Sequence, residues 1–281
     1  MIMRKFIFSD LHGEENIYHE IMNYLDSISE QEEITLYING DLIDRGQSSG
    51  YILLDVIQRI KANRFPIIYL GGNHELMMYE LYEKRKSGLF TLPNDWYQNG
   101  GWITDTQLIE KLQTKEKILE VVDFISELPI YQYFEEKMGE RNIFLVHASS
   151  PYSIEKNCQL KIKSPEEKIW DYLWLRENDP WSPYHFSLGN QEVFSILGHT
   201  PNNTQFGYFY KRNEDYLNID GGFYHKNRQT PLLEIKENYF EILTFHTKKG
   251  LVAGNYFTEK ENVPFTEQEL QKVKQLILSK K

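Results

Sequence analysis

The feature that most constrains this chain is a unit that occurs three times in the first 82 residues. Each copy is a short apolar run, then a polar loop rich in Gly, Asp, Asn or His, then apolar residues at helical spacing. Residues 5–8 lead into Ser9-Asp10-Leu11-His12-Gly13, after which Ile17, Ile21, Met22 and Leu25 mark one helix face. Residues 34–38 lead into the loop 40–46, followed by Ile52, Val56, Ile57 and Ile60. Residues 65–70 lead into Gly71-Gly72-Asn73-His74-Glu75, with a helix expected over 76–82. Consecutive strand–loop–helix units imply a parallel sheet with right-handed crossovers, and such sheets gather ligands at the carboxyl ends of their strands. The three polar loops are therefore expected along one edge.

The rest of the chain reads differently. Residues 90–107 mix Pro93, Asn94, Asn99, Gly100 and Gly101 with Trp96 and Trp102, the pattern of an ordered loop beside a site, and helical periodicity returns over 112–128. Strands are expected at 130–134, at 142–146 ending in His147, and at 192–197 ending in Gly198-His199-Thr200. Further strands at 216–219, 231–235 and 240–245 complete a β-rich half whose spacing suits antiparallel pairing. A final helix over about 266–280 opens with Thr266 and Glu269 in a capping box and Phe265 facing Leu270. With no fixed-period repeat and no linker, residues 1–281 are expected to form one domain.

Composition sets limits on partners. A net charge of −10 opposes sequence-independent binding to a nucleic acid polymer. No apolar run reaches the length of a membrane span, and one cysteine, Cys158, cannot form an internal disulfide. The start of the chain carries no secretory pattern, so a cytoplasmic location is expected.

The polar loops hold the chemistry. Asp10, His12, Asp41, Asn73, His147 and His199 each follow an expected strand, so five loops deliver six metal-type ligands from one rigid framework. Two carboxylates, three imidazoles and a carboxamide suit manganese, iron or zinc and suit calcium poorly. Taken singly, Asp10, Asp41 and Asp44 are ordinary cap or turn residues and His147 an ordinary hydrogen-bonded histidine. It is their joint order that points to a metal site. His19, His185, His225 and His246 lack this context and read as structural.

Gly40-Asp41-Leu42-Ile43-Asp44-Arg45-Gly46, Gly72-Asn73-His74-Glu75 and Asp10-Leu11-His12-Gly13 resemble the signature blocks of the phosphoprotein phosphatase family of calcineurin-like metallophosphoesterases. The resemblance extends through His147-Ala148 and Gly198-His199-Thr200-Pro201. Within the family it points to the branch of the bacteriophage lambda and bacterial enzymes, which share blocks like Asn99-Gly100-Gly101-Trp102, Trp174-Leu175-Arg176-Glu177 and Asn218-Ile219-Asp220-Gly221. Ser9 stands where the family commonly has Gly, a change that offers no ligand.

The resemblance implies an α/β fold, a central β-sandwich of mixed sheets flanked by helices. It implies two divalent ions, manganese first and iron, zinc or nickel as substitutes. Asp10, His12 and Asp41 would hold one ion, and Asp41, Asn73, His147 and His199 the other. It further implies attack by a metal-bridging hydroxide, His74 paired with Asp44 as general acid, and Arg45 and Arg176 gripping the phosphoryl oxygens. The implied activity is that of a serine/threonine, or dual-specificity, protein phosphatase, acting on phosphorylated protein or another small phosphate ester. The alternatives are a hydrolase of dinucleoside polyphosphates such as diadenosine tetraphosphate, or a metal-free binding module. Glu75 after His74 resembles the protein phosphatases more than the tetraphosphate hydrolases.

Overall fold

The computed structural model describes residues 3–89, 94–150, 167–176, 193–201, 211–212, 215–222, 229–236, 239–247 and 256–264. Strands β1 (Arg4–Phe8), β2 (Ile34–Asn39) and β3 (Ile67–Leu70) lie parallel and adjacent. Helices α1 (Glu15–Ser29) and α2 (Ser49–Ala62) connect them, and α3 (Asn73–Lys86) follows. The sheet continues beyond β1 through β9 (Gln229–Ile235), β10 (Tyr239–Thr247) and β11 (Tyr256–Pro264), all antiparallel to their neighbours. A second sheet has the order β4 (Tyr131–Met138), β5 (Arg141–Val146), β6 (Val193–Leu197), β8 (Tyr216–Asn218), β7 (Lys211–Arg212).

The two sheets pack face to face because their strands alternate in two apolar directions. Ile7, Tyr37 and Leu70 of the first sheet meet Ile143, Leu145, Phe194, Ile196 and Leu217 of the second in one buried cluster. The intervening residues Phe6, Phe8, Leu36 and Ile38 face the other way, against Ile17, Ile21, Val56 and other helix residues. β2 is buried along its whole length, Thr35 and Asn39 included, as a strand covered on both faces must be. Each wholly buried Ile, Leu or Phe contributes about 1.5–3 kcal/mol relative to exposure, so register is strongly specified. The fold is thus the expected α/β sandwich of two mixed sheets flanked by helices.

Three local expectations change. The segment 90–107 is not a loop throughout: α4 (Asp95–Gln98) and α5 (Gly101–Leu112) occupy it, and α6 (Lys115–Ser126) follows. Gly100 and Gly101, which look like breakers, start α5 instead, with Gly100 taking a φ of 95° at its N-cap. The third helix begins at Asn73, so Asn73, His74 and Glu75 form its first turn. The second half is not uniformly antiparallel, because β5, β6 and β8 are mutually parallel. The long stretch between β5 and β6, which includes α7 (Glu167–Trp174), supplies the crossover a parallel pair needs. The expected helix at 266–280 lies outside the described residues. Among those described, no helix is long and apolar enough to cross a membrane.

Parallel order in both sheets brings the ends of β2 and β5 together. Asn39 Nδ2 donates to the Val146 carbonyl at 3.0 Å, and His147 Nδ1 donates to the Asn39 carbonyl at 2.8 Å. The loops that leave the two sheets therefore start from one shared edge.

Candidate metal centre

The loops leaving these strand ends are strained where they carry chemistry. Among the described residues, eight non-glycine residues have positive φ, and two of them, Asn63 and Gln113, are helix C-caps. The other six are Asp10, His12, Asp41, Asp44, Arg45 and His199. A non-glycine residue held in this region costs about 1–3 kcal/mol and persists only where its surroundings over-determine it. Glycine is required where the chain passes Asp41: a Cβ on Gly72 would lie 2.4 Å from Asp41 Oδ1 and 2.5 Å from Asp41 N.

The loops bring the expected ligands together around Asp41. His147 Nε2 is 3.3 Å from Asp41 Oδ1 and 3.1 Å from Asn73 Oδ1, and His199 Nδ1 is 2.9 Å from the same Asn73 oxygen. On the other carboxylate oxygen, His12 Nε2 stands at 3.6 Å and His74 Nε2 at 3.8 Å from Asp41 Oδ2. Two groups able to hold a metal ion result, His12–Asp41–His74 and Asp41–His147–His199, all buried and sharing Asp41. Asp10 lies alongside, both its oxygens 3.0 Å from the His199 backbone N–H.

Ring orientation fits a cation. His12 Nδ1 meets the Ile43 carbonyl at 3.0 Å, His147 Nδ1 the Asn39 carbonyl, and His199 Nε2 the Trp174 carbonyl at 3.0 Å. A carbonyl only accepts, so each of these nitrogens carries the proton and the opposite nitrogen turns a lone pair inward. His147 Nε2, His199 Nδ1, Asn73 Oδ1 and Asp41 Oδ1 then face one another as acceptors at about hydrogen-bond distance. Such a cluster needs a positive charge at its centre. Burial pulls the His147 imidazolium down, but Asp41 and Asp10 outweigh it and lift this group to about 10, so a proton is one such charge. A divalent first-row ion is a better match to mixed N/O donors.

The surrounding charges agree. Burial first, then repulsion from Asp220 and Asp41, pushes the Asp10 carboxyl up. Asp41 itself is held well down: burial raises it, but His147, His74 and His12 prevail. Burial, Arg45 and His74 together hold His12 down. Burial and the neighbouring His147 and Arg176 do the same to His199.

Beside this cluster stands a second arrangement. His74 Nδ1 and Asp44 Oδ2 are 2.6 Å apart with both side chains fully buried, and His74 Nε2 has no hydrogen-bond partner. That free nitrogen points toward the Asp41 side of the site, where a proton could be given to a bound molecule. Arg45 reaches the site as well, its guanidinium 2.7 Å from His12 Nε2. Arg176 is exposed and donates to the His199 carbonyl at 3.0 Å, placing it at the rim.

Other residues at the site escaped the sequence reading. Asp220, buried at the tip of β8, accepts from Gly222 N at 2.8 Å, and its carboxyl is raised to about 6 by burial against that bond and by Asp41. The signal was present, since it ends a strand in the same manner as Asp41. Ser9 is not a neutral replacement: its hydroxyl lies 2.5 Å from Asp10 Oδ2 and 2.9 Å from the Asn39 carbonyl. Glu75 is wholly buried and accepts from Asp41 N, Leu42 N, Gly72 N and Tyr69 OH at 2.6–3.1 Å. It pins the Asp41 loop from the buried side, so its part in the motif is to shape that loop. His19, read as structural, sits exposed on α1 near Glu15.

A family model described as calcineurin-like phosphoesterase matches residues 3–222. No curated protein sequence matches the chain. Among solved structures, a candidate diadenosine tetraphosphatase superposes with a TM-score of 0.56 at 14% identity, covering 88% of this chain and 95% of that one. A protein serine/threonine phosphatase from Saccharomyces cerevisiae superposes with a TM-score of 0.50 at 12% identity, covering 94% and 81%. At such identities the likeness is one of fold.

Proposed function

The chain belongs to the calcineurin-like phosphoesterase family, and from that premise we propose that it hydrolyses phosphate monoesters on phosphorylated protein side chains, as a serine/threonine or dual-specificity phosphatase. The observation that carries this reading is one carboxylate, Asp41, shared by two buried ligand groups, beside a His74 whose Nε2 is unpartnered. Asp10, His12 and Asp41 would hold one divalent ion, and Asp41, Asn73, His147 and His199 would hold the other. His74 Nε2 lies within reach of the first ion's group as well, and its pairing with the Asp44 carboxylate, where His12, His147 and His199 meet backbone carbonyls, is the basis on which we assign it to proton donation. Manganese is the first candidate for both positions.

When bound, the two ions lower the pKa of water and offset charge on the phosphoryl oxygens. The side chains do the rest. Asp41, common to both ligand groups, would serve both ions. Arg45 and Arg176 present planar forks of N–H donors to the equatorial oxygens, a geometry that lysine does not offer. His74 Nε2 gives its proton to the ester oxygen as the bond to phosphorus breaks, and Asp44 stabilises the charge on the ring. Burial of both members of this pair keeps water from competing for the proton.

The resemblance of the Gly40–Gly46 and Gly72–Glu75 blocks to protein phosphatases supports the substrate class. Rates on a phosphoserine peptide and on diadenosine tetraphosphate, measured side by side with Mn²⁺, test it. Faster turnover of the peptide is expected. A strong preference for the dinucleotide would replace this reading with that of a dinucleoside polyphosphate hydrolase, whose candidate shares the fold at a TM-score of 0.56.

A further inference from the structure

Asp44 is anchored on both carboxylate oxygens, and its anchors other than His74 come from the segment that the sequence presents as a loop. Trp96 Nε1 donates to Asp44 Oδ2 at 2.7 Å, the same oxygen that meets His74 Nδ1 at 2.6 Å. Thr104 Oγ1 donates to Asp44 Oδ1 at 2.6 Å and accepts from Asp44 N at 3.2 Å. Both anchors are buried: Trp96 is 1% and Thr104 0% exposed. The packing serves this contact. A Cβ on Gly101 would fall 2.3 Å from Trp96 Nε1, and a Cβ on Gly100 would fall 2.9 Å from Arg45 N. The Asn99–Gly100–Gly101–Trp102 block thus lets α5 close against both the Trp96 indole and the Arg45 backbone.

We infer that Trp96 and Thr104 are positioning residues for proton donation: they lock the Asp44 carboxylate in one orientation, and through it aim His74 at the leaving oxygen. The inference rests on the general-acid reading of His74. Physically, a carboxylate bonded only to His74 could rotate about its Cβ–Cγ bond and swing the ring with it. An indole that only donates and a hydroxyl bonded twice to the same residue remove that freedom. Asp44 and Arg45 also hold positive φ, with values of 71° and 67°, so the backbone there needs side-chain restraint. In the reaction served, the bond from phosphorus to the ester oxygen breaks, that oxygen takes the Nε2 proton, and water supplies the oxygen added to phosphorus. The proton that water loses balances the one His74 gave.

Loss of aim weakens proton donation and leaves ion binding alone, and this separates the inference from a general structural role. The experiment compares Thr104→Val, Thr104→Ser, Trp96→Phe and His74→Asn in the full Mn²⁺-loaded chain, with phenyl phosphate and p-nitrophenyl phosphate as substrates. Phenoxide is the poorer leaving group and depends more on the acid. Thr104→Val and Trp96→Phe are expected to lower kcat on phenyl phosphate about tenfold and on p-nitrophenyl phosphate less than about twofold, with Mn²⁺ affinity by calorimetry unchanged. Thr104→Ser, which keeps the hydroxyl, restores the phenyl phosphate rate. Equal losses on both substrates in Thr104→Val, or none on either, overturn the inference, and this near-isosteric variant decides where Trp96→Phe fails to fold. If His74→Asn itself loses both rates equally, the general-acid reading is what fails, and the inference falls with it.

Discussion

Asp10 and Asp105 are equally buried, each 2% exposed, yet their surroundings push them in opposite directions. Around Asp10 the neighbours are Asp220, Asp41, imidazoles and a backbone N–H, and its carboxyl is raised by burial and by the other acids. Around Asp105, Arg85 donates from two nitrogens at 3.0 and 2.7 Å, Tyr82 OH donates at 2.5 Å, and Tyr97 OH donates as well. Burial raises the Asp105 carboxyl, but these donors outweigh it and hold it below the ordinary range. The α3–α5 cluster is electrically complete and ties helices together. In the strand-tip cluster His147 and Asp41 attract each other, but Asp10 and Asp220 are repelled by neighbouring carboxylates, a charge that a bound cation would offset.

That contrast can be broken or sharpened by substitution. The largest effect is expected at the shared carboxylate: Asp41→Asn should lower kcat/KM for p-nitrophenyl phosphate about a thousandfold or more, since several kcal/mol of charge stabilisation go with it. Steady-state assays over a range of Mn²⁺ check this, and unchanged turnover would remove Asp41 from the centre. His74→Asn comes next, with a loss of about a hundredfold on phenyl phosphate and little change in Mn²⁺ affinity.

Asp105→Asn should reverse the pattern. It removes the negative charge that Arg85, Tyr82 and Tyr97 share, although Arg85 keeps its bond to Tyr97 OH, and costs about 2 kcal/mol of stability, read in urea unfolding, while Mn²⁺ affinity stays as in the parent chain. The smallest effect is a pH dependence. The folded-state pKa of Asp105 is depressed, so its contribution is present above the ordinary value of 3.8 and fades as pH falls through the lower folded value. The urea midpoint of the parent chain should therefore fall in acid more steeply than that of Asp105→Asn. Parallel curves would mean that the Arg85 and tyrosine bonds do not favour the charged form.

The sequence makes the strand-tip cluster far more legible than its supports. Asp10, Asp41, Asn73, His147 and His199 each follow an apolar run, and a parallel sheet must bring such positions to one edge. Trp96 and Thr104 carry no such mark, because they reach Asp44 from helices distant in sequence, and Gly100 and Gly101 read as loop residues where they are clearances for a backbone and an indole. Glu75 resembled a clue to substrate because its position in a motif says nothing of its direction, and it turns inward to four donors. The parallel pairing of β5, β6 and β8 was hidden for another reason. Strand spacing alone does not separate a long hairpin from a crossover, and the crossover wins where it lets His147 and His199 leave the same sheet edge.

On the function proposed above, Asp41 joins two cation sites built from five strand-tip loops. Metal analysis of the full chain, dialysed with Mn²⁺ and paired with calorimetric titration, tests it most directly. Two ions per chain are expected in the parent protein, with both affinities weakened together in Asp41→Asn. A single ion, or two ions bound as tightly after that substitution, would contradict it.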